Sequence, residues 1–230
     1  GWLRSKPIDQ ITHEAEKLAK NGYIEAVLVG INLTSYGKET GGEINICDAV
    51  EAVAKVSGIK RIRLGSLEPD HITDETLTRL SKVEKFCPQF HLSLQSGCDS
   101  TLRRMNRHYD TAFYRDLVQR IRKVFPDSAI TTDIMVGFAG ETEEEFEVTL
   151  QFIEEIGFAK VHAFAYSPRE GTPAALKEQV PPQVKKSRTE RLLQVCAKTA
   201  DRFMQQQVGQ VEWVLPEQKK ADGSLEGHTP

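Results

Sequence analysis

The sequence predicts an α/β protein, a TIM-like parallel barrel of the (βα)6 type with five visible strands, followed by the start of a small β-barrel. Three observations carry that prediction. Short apolar runs rich in β-branched or aromatic residues recur five times. Amphipathic stretches with helical spacing separate them. Polar, glycine-containing segments follow the apolar runs, on what would be one rim.

The elements can be justified in order. Pro7 suits an opening helical turn, Ile11, Ala15 and Leu18 form a stripe, and Gly22 closes the segment. Strands are expected at 26–30, 61–66, 90–94, 130–137 and 161–166, each ending in Gly, Ser or a polar residue. The clearest helix carries Phe146, Leu150, Ile153 and Ile156 on one face. Thr142 with Glu145 three residues on marks its start, and Gly157 marks its end. A last helix is expected over 182–206, with Leu192, Val195, Thr199 and Phe203 along it. Repeated βα units imply a parallel sheet made by right-handed crossovers.

An order that opens on a helix implies a strand before Gly1, with its loop on the active face. The barrel is therefore expected over 1–206 without its first strand. After Gln206 the character changes. Residues 208–215 read as a strand, Ala221-Asp222-Gly223-Ser224 as a turn, and Gly227-His228-Thr229-Pro230 as the lead into another strand. The piece over 207–230 is too short to close a β-barrel alone.

Composition narrows the function. The chain has 230 residues, 39% hydrophobic and 27% charged, as an ordinary globular protein does. No apolar run reaches the roughly 18 residues of a membrane span, and nothing resembles a signal peptide, so a cytoplasmic protein is expected. A net charge of −3 gives no general pull toward nucleic acid. The cysteines Cys47, Cys87, Cys98 and Cys196 lie 40, 11 and 98 residues apart, too far for a metal knuckle. The six histidines form no i, i+4 pair, and no P-loop, nucleophile elbow or dinucleotide fingerprint is present.

The strand-end loops carry the chemistry. They are Gly30-Ile31-Asn32 through Gly37, Gly65-Ser66-Leu67-Glu68-Pro69, Gln95-Ser96-Gly97-Cys98-Asp99, Gly137 through Thr142, and Tyr166 through Pro173. Glycine, serine and asparagine also make ordinary βα turns. Five such loops on one rim instead suit a small polar ligand with amine, carboxylate and ribose groups.

Within these loops the sequence resembles the radical S-adenosylmethionine methylthiotransferase family. The resemblance rests on Leu94-Gln95-Ser96-Gly97, on Arg103-Arg104-Met105-Asn106-Arg107, on Asp133-Ile134-Met135-Val136-Gly137-Phe138-Ala139-Gly140-Glu141-Thr142, and on the run Tyr166 to Ala175. It covers residues 4–230. Ala139 departs from the family pattern, which usually has Pro there. Gly30-Ile31-Asn32 with Tyr36-Gly37, and the run Arg63 to Pro69, look most like the branch acting on N6-threonylcarbamoyladenosine beside the tRNA anticodon. The branches acting on isopentenyladenosine or on a ribosomal-protein aspartate are the alternatives.

The resemblance implies a catalytic 4Fe–4S cluster in a C-x-x-x-C-x-x-C loop, a second 4Fe–4S cluster, S-adenosylmethionine, tRNA, and an electron donor such as flavodoxin or ferredoxin. None of the six cluster cysteines is in this chain, and Arg4-Ser5 matches the stretch just after the catalytic loop. No catalytic residue or metal ligand is therefore expected within it, and the chain alone is expected to be inactive. As cofactor-binding residues the resemblance and the rim together point to Gly30, Asn32, Ser66, Glu68, Gln95, Ser96, Asp133 and Tyr166. Arg103, Arg104, Arg107 and Arg169 are the candidates for substrate or RNA phosphate. Two readings of other classes stay open: a cluster-free βα-barrel lyase or isomerase, and a non-catalytic RNA-binding module. No strand end carries a Schiff-base lysine, and the acidic balance suits RNA binding poorly.

Overall fold

A computed structural model of the protein describes residues 2–230. The chain order is α1 (Ile8–Lys20), β1 (Glu25–Leu28), α2 (Ile46–Ala54), β2 (Arg61–Leu64), α3 (Asp74–Ser81), β3 (Gln89–His91) and α4 (Asp99–Arg104). It continues with α5 (Thr111–Val124), β4 (Ala129–Val136), α6 (Glu143–Ile156), β5 (Lys160–Ala165), α7 (Pro182–Gln206), β6 (Leu215–Lys219) and β7 (Leu225–His228). β1 pairs with β2, β3 with β4 and β4 with β5, all in parallel. Isolated parallel bridges, Ile62 with Phe86 and Leu67 with Leu92, join the two ladders. Five parallel strands thus lie side by side in chain order, as in a barrel and unlike a doubly wound sheet.

Strand alternation gives the sheet two faces of opposite chemistry. Ala26, Ile62, Leu64, Phe90, Leu92, Ile130, Ile134 and Val136 are buried under the helices. Their neighbours along the strands, among them Glu25, Arg61, Arg63, Gln89, His91, Thr131, Asp133 and His162, fall on the opposite face. An apolar outside and a polar inside is the pattern of a barrel strand whose lumen holds functional groups. At the base of the helical layer Phe86, Phe90 and Phe125 pack with ring centroids 5.4 to 5.8 Å apart. Burying such a ring stabilises the fold by about 1.5–3 kcal/mol each.

Helix ends are set locally. Asn45 and Asp48 form a capping box on α2, and Thr142 and Glu145 form the expected one on α6. Gly157 ends α6 at φ 66, in the left-handed region. α7 runs over the expected residues, with Pro182 in its first turn.

The tail departs from expectation. The strand expected at 208–215 is instead at Leu215–Lys219, and Val211 and Trp213 are exposed. The turn at 221–224 forms as expected, with Asp222 accepting from the Ser224 amide at 2.9 Å. Pairing then propagates outward from the turn and reaches Leu215 opposite His228. Pro230, two positions further, has no N–H with which to extend the ladder. The hairpin leans on the start of the sheet. Arg61 donates to the His228 carbonyl at 3.0 Å, and Arg63 to the Pro230 and Thr229 carbonyls at 2.8 and 3.1 Å.

Candidate active-site rim and lumen

The loop after β1 is held open by the segment before α1. The Tyr36 hydroxyl donates to the Lys6 carbonyl at 2.6 Å, and the Gly37 amide donates to Ser5 Oγ at 2.8 Å. Gly37 sits at φ 82, and a Cβ there would fall 2.0 Å from the Ile44 carbonyl oxygen. Gly30, Ile31 and Asn32 lie exposed at the mouth of a cleft of about 950 Å³, bounded by α1, the edge of β1 and α2. Asn32 Oδ1 accepts only the Thr34 hydroxyl, at 3.3 Å.

At the β2 end Ser66 is exposed and Glu68 half-buried. Glu68 accepts from Arg107 at 3.2 and 3.3 Å, which ties this loop to the segment after α4. At the β3 end Gln95 takes φ 72, in the left-handed region, where a non-glycine residue stores about 1–3 kcal/mol of strain. Its amide donates to the Asp133 carbonyl and its carbonyl accepts from the Met135 amide, each at 2.9 Å. The chain then turns under α6. At Gly97 a Cβ would lie 2.8 Å from Phe152 Cβ and 3.0 Å from Thr149 Cα, so only glycine permits this packing.

At the β4 end the Gly137 amide and the Arg188 guanidinium both donate to Glu141 Oε2, at 2.8 and 2.9 Å. Burial pushes the Glu141 carboxyl upward against these donors. Tyr166 packs edge-on against Phe138, with centroids 4.9 Å apart, and its carbonyl accepts from Lys185 Nζ at 2.8 Å. The loops after β4 and β5 are thus pinned to each other and to α7.

Several expected residues therefore lie at strand ends on one side: Gly30, Asn32, Ser66, Glu68 and Tyr166 are exposed or half-buried, and Gln95 is buried. Ser96 is corrected. It is fully buried, with its hydroxyl 3.3 Å from Thr149 Oγ1, facing α6 and away from the cleft. Among the arginines, Arg103 and Arg169 are exposed. Arg104 pairs with Glu145, and hydrogen bonding from Arg104 outweighs burial to hold that carboxyl at about 2. Arg107 is engaged with Glu68. The dense basic patch expected from Arg103, Arg104 and Arg107 is thus largely neutralised in place, because two of its three charges meet carboxylates from distant segments.

Asp133 lies deeper. It is three residues before the end of β4, on the inner face, with Oδ2 3.4 Å from His91 Nε2. His91 Nδ1 is 3.0 Å from Thr131 Oγ1, and Gln89 donates to the same hydroxyl at 3.0 Å. At the start of β1, Glu25 meets Arg63 and His228 at 3.2 and 3.0 Å. Burial alone would raise the Glu25 carboxyl, but these partners outweigh it and lower it. Glu25, His91, His162, Lys185 and Arg188 carry no functional signal in the sequence, since each acquires its neighbours across strands or helices.

All four cysteines are buried and unpaired, and burial raises the Cys47 and Cys196 thiols to about 11. Among the described residues no three His, Cys, Asp or Glu side chains are grouped to hold a metal ion. No helix among them is long and apolar enough to cross a membrane.

Comparison with known proteins agrees with this architecture. The chain is 39% identical over 232 residues to a tRNA-2-methylthio-N(6)-dimethylallyladenosine synthase of Clostridium botulinum, covering 100% of this chain and 52% of the relative. It is 37% identical over 227 residues to the threonylcarbamoyladenosine tRNA methylthiotransferase MtaB of Thermotoga maritima, covering 98% and 52%. The chain spans about half the length of the curated relatives it matches. In fold it resembles coproporphyrinogen III oxidase of Escherichia coli, with TM-score 0.63 and 19% identity over 84% of this chain and 44% of that one. The sequence profile of the Radical SAM superfamily matches residues 1–153, and the chain belongs to that superfamily.

Proposed function

We propose that the chain is the barrel portion of a cytoplasmic tRNA methylthiotransferase acting on N6-threonylcarbamoyladenosine beside the anticodon. The observation that carries this reading is the rim. Two loops, at the carboxyl ends of β1 and β2, bring the exposed Asn32 amide, the exposed Ser66 hydroxyl and the half-buried Glu68 carboxylate to one edge, in a Radical SAM chain. The names of the relatives support a methylthio transfer to a modified tRNA adenosine. The strings Gly30-Ile31-Asn32 and Arg63 to Pro69 support the threonylcarbamoyl branch.

The donor set suits S-adenosylmethionine, which when bound and cleaved by one-electron reduction would supply the radical that abstracts hydrogen from the substrate carbon. The Gly30 backbone and Asn32 would meet its amino-acid end, Ser66 and Glu68 its ribose or amine, Gln95 the next position along the rim, and Tyr166 its adenine. The Phe138 ring holds Tyr166 in place. The cysteines do not suit an iron–sulfur cluster, being buried and scattered. We assign the ligands of the two 4Fe–4S clusters to segments outside residues 1–230. Arg103 and Arg169 are the arginines left to meet tRNA phosphate. Residues 207–230 read as the opening of an RNA-binding β-barrel domain (TRAM), and a flavodoxin or ferredoxin would supply electrons.

The test is nucleoside mass spectrometry of tRNA from a strain deleted for the gene. Loss of methylthio-threonylcarbamoyl-adenosine is expected. Loss of methylthio-isopentenyladenosine instead would move the protein to the other branch, and no change in either would overturn the reading.

A further inference from the structure

The inner face of the sheet has two levels. The upper level, next to the rim, carries Val27 and Val29 on the β1 side, with Arg63 in register with Val27, and Met135 and Phe164 opposite. Val27, Val29 and Phe164 are 51%, 75% and 40% exposed, so this level is open. The lower level is polar, and its centre is a cluster from three adjacent strands. Asp133 pairs in register with His162 on β5, and His91 reaches across from β3 to Asp133. The two imidazoles lie 5.8 Å apart, centroid to centroid.

The cluster is only partly satisfied. His91 is occupied by Thr131 and Asp133, but Asp133 has one carboxylate oxygen without a partner among the described residues, and His162 has no hydrogen-bond partner there. Asp133 sits four residues below Gly137, about 13 Å down the strand at 3.3 Å per residue. The Gln95 amide donates to the Asp133 backbone carbonyl at 2.9 Å, while the Asp133 side chain turns to His91 on the inner face. Two other charged residues of the inner face, Arg61 and Arg63, are taken by Glu25 and the tail carbonyls. Lys160, opposite Thr131, adds one positive charge at the level of the cluster.

We propose that His91, Asp133 and His162 form the specificity floor for the N6 substituent of the substrate adenosine. The substituent they recognise is a carbamoyl chain ending in a carboxylate, not a hydrocarbon. This rests on the reading of the substrate as a modified tRNA adenosine. The Asp133 carboxylate accepts the N–H groups of the carbamoyl unit, and the His162 ring, with Lys160 beside it, donates to the terminal carboxylate or hydroxyl. The upper level accommodates the flat purine. A hydrocarbon chain lowered onto the same floor would strip water from a carboxylate and an imidazole and give no hydrogen bond in return. Such unpaired polar groups are the means by which a site rejects an analogue. Asp133 thereby moves from the cofactor rim, where the sequence put it, to the substrate.

The experiment uses the full-length protein and two variants, Asp133→Asn and His162→Ala, with calorimetric titration of three nucleosides. These are N6-threonylcarbamoyladenosine, N6-isopentenyladenosine and adenosine. Both variants should weaken the threonylcarbamoyl nucleoside by about tenfold or more and leave the other two within about twofold. Unchanged S-adenosylmethionine affinity and thermal midpoint control for folding, and His162→Gln replaces the alanine variant if that control fails. Equal weakening of all three nucleosides, no weakening of any, or tighter binding of the isopentenyl nucleoside by the wild type would overturn the assignment. Failure of this floor is separable from failure of the proposed function. If the wild type methylthiolates threonylcarbamoyl tRNA while the variants bind the nucleoside normally, only the floor falls. If it modifies neither tRNA, the function falls first.

Discussion

The two halves of the rim are held by different physics. After β3, β4 and β5 the loops are locked into the helical layer: Gly97 lies against α6, Glu141 is clamped by Arg188, and Lys185 bonds the Tyr166 carbonyl. After β1 and β2 the loops are exposed, tethered by the segment before α1 and by the half-exposed Glu68–Arg107 pair. The locked half is preorganised, and its polar groups mostly serve the fold. The open half keeps its amide, hydroxyl and carboxylate accessible. Substitutions on the locked side should therefore cost stability, and those on the open side should cost binding.

The largest effect is expected at Arg188. It is 5% exposed and, among the described residues, is the only cation on the buried Glu141 carboxylate. Arg188→Ala would strand that charge and lower stability by about 3–5 kcal/mol, read from urea unfolding of the full-length protein. Adding Glu141→Gln should restore much of the loss. If Arg188→Ala unfolds at the wild-type midpoint, the locked half is not held by this clamp.

Gly97→Ala comes next. The added methyl meets Phe152 and Thr149 at 2.8 and 3.0 Å, and about 2–3 kcal/mol of overpacking is expected. A substitution tolerated without a shift in thermal midpoint would mean that the loop does not pack on α6 as described.

Glu145 gives a pH-dependent effect. Its carboxyl lies at about 2 against an ordinary 4.5, chiefly through hydrogen bonding from Arg104, with Ser100 and the Thr142 amide adding to it. A folded-state value below the unfolded one contributes stability that is complete above about pH 4.5 and is lost as pH falls toward 2. Glu145→Gln should remove about 1–2 kcal/mol at neutral pH and flatten the acid limb of the stability profile. An acid limb as steep as that of the wild type would show that other carboxylates carry it.

The smallest effect on stability belongs to the open half. Glu68→Gln breaks a half-exposed pair and should cost less than about 1 kcal/mol. Its S-adenosylmethionine affinity, measured by equilibrium dialysis of the full-length protein, should nevertheless fall by about tenfold. A variant that lost stability and kept affinity would reverse the comparison between the halves.

What could be read without coordinates followed how local each signal was. The Thr142 and Glu145 capping box needs only three residues of spacing, and α6 begins there. The five strands appear within a few residues of their expected ends, because alternation of apolar side chains is a property of each run. The tail strand slipped by several residues since a hairpin register is set by its turn and its partner, not by its own pattern. Ser96 reads as a rim serine until α6 packs over it. Arg104 and Arg107 read as a basic patch until Glu145 and Glu68, 41 and 39 residues away, close on them.

By itself the sequence determined the alternation of strands and helices, the side of the sheet on which polar loops gather, and the family those loops resemble. These depend on propensity, period and short strings, which act over a few residues. Tertiary structure alone decided which polar groups are spent on the fold and which remain for a ligand. Register placed His91, Asp133 and His162 on one face from three strands, and helix packing turned Ser96 and Arg104 inward. Both outcomes depend on partners far apart along the chain, and only folding brings them within hydrogen-bonding distance.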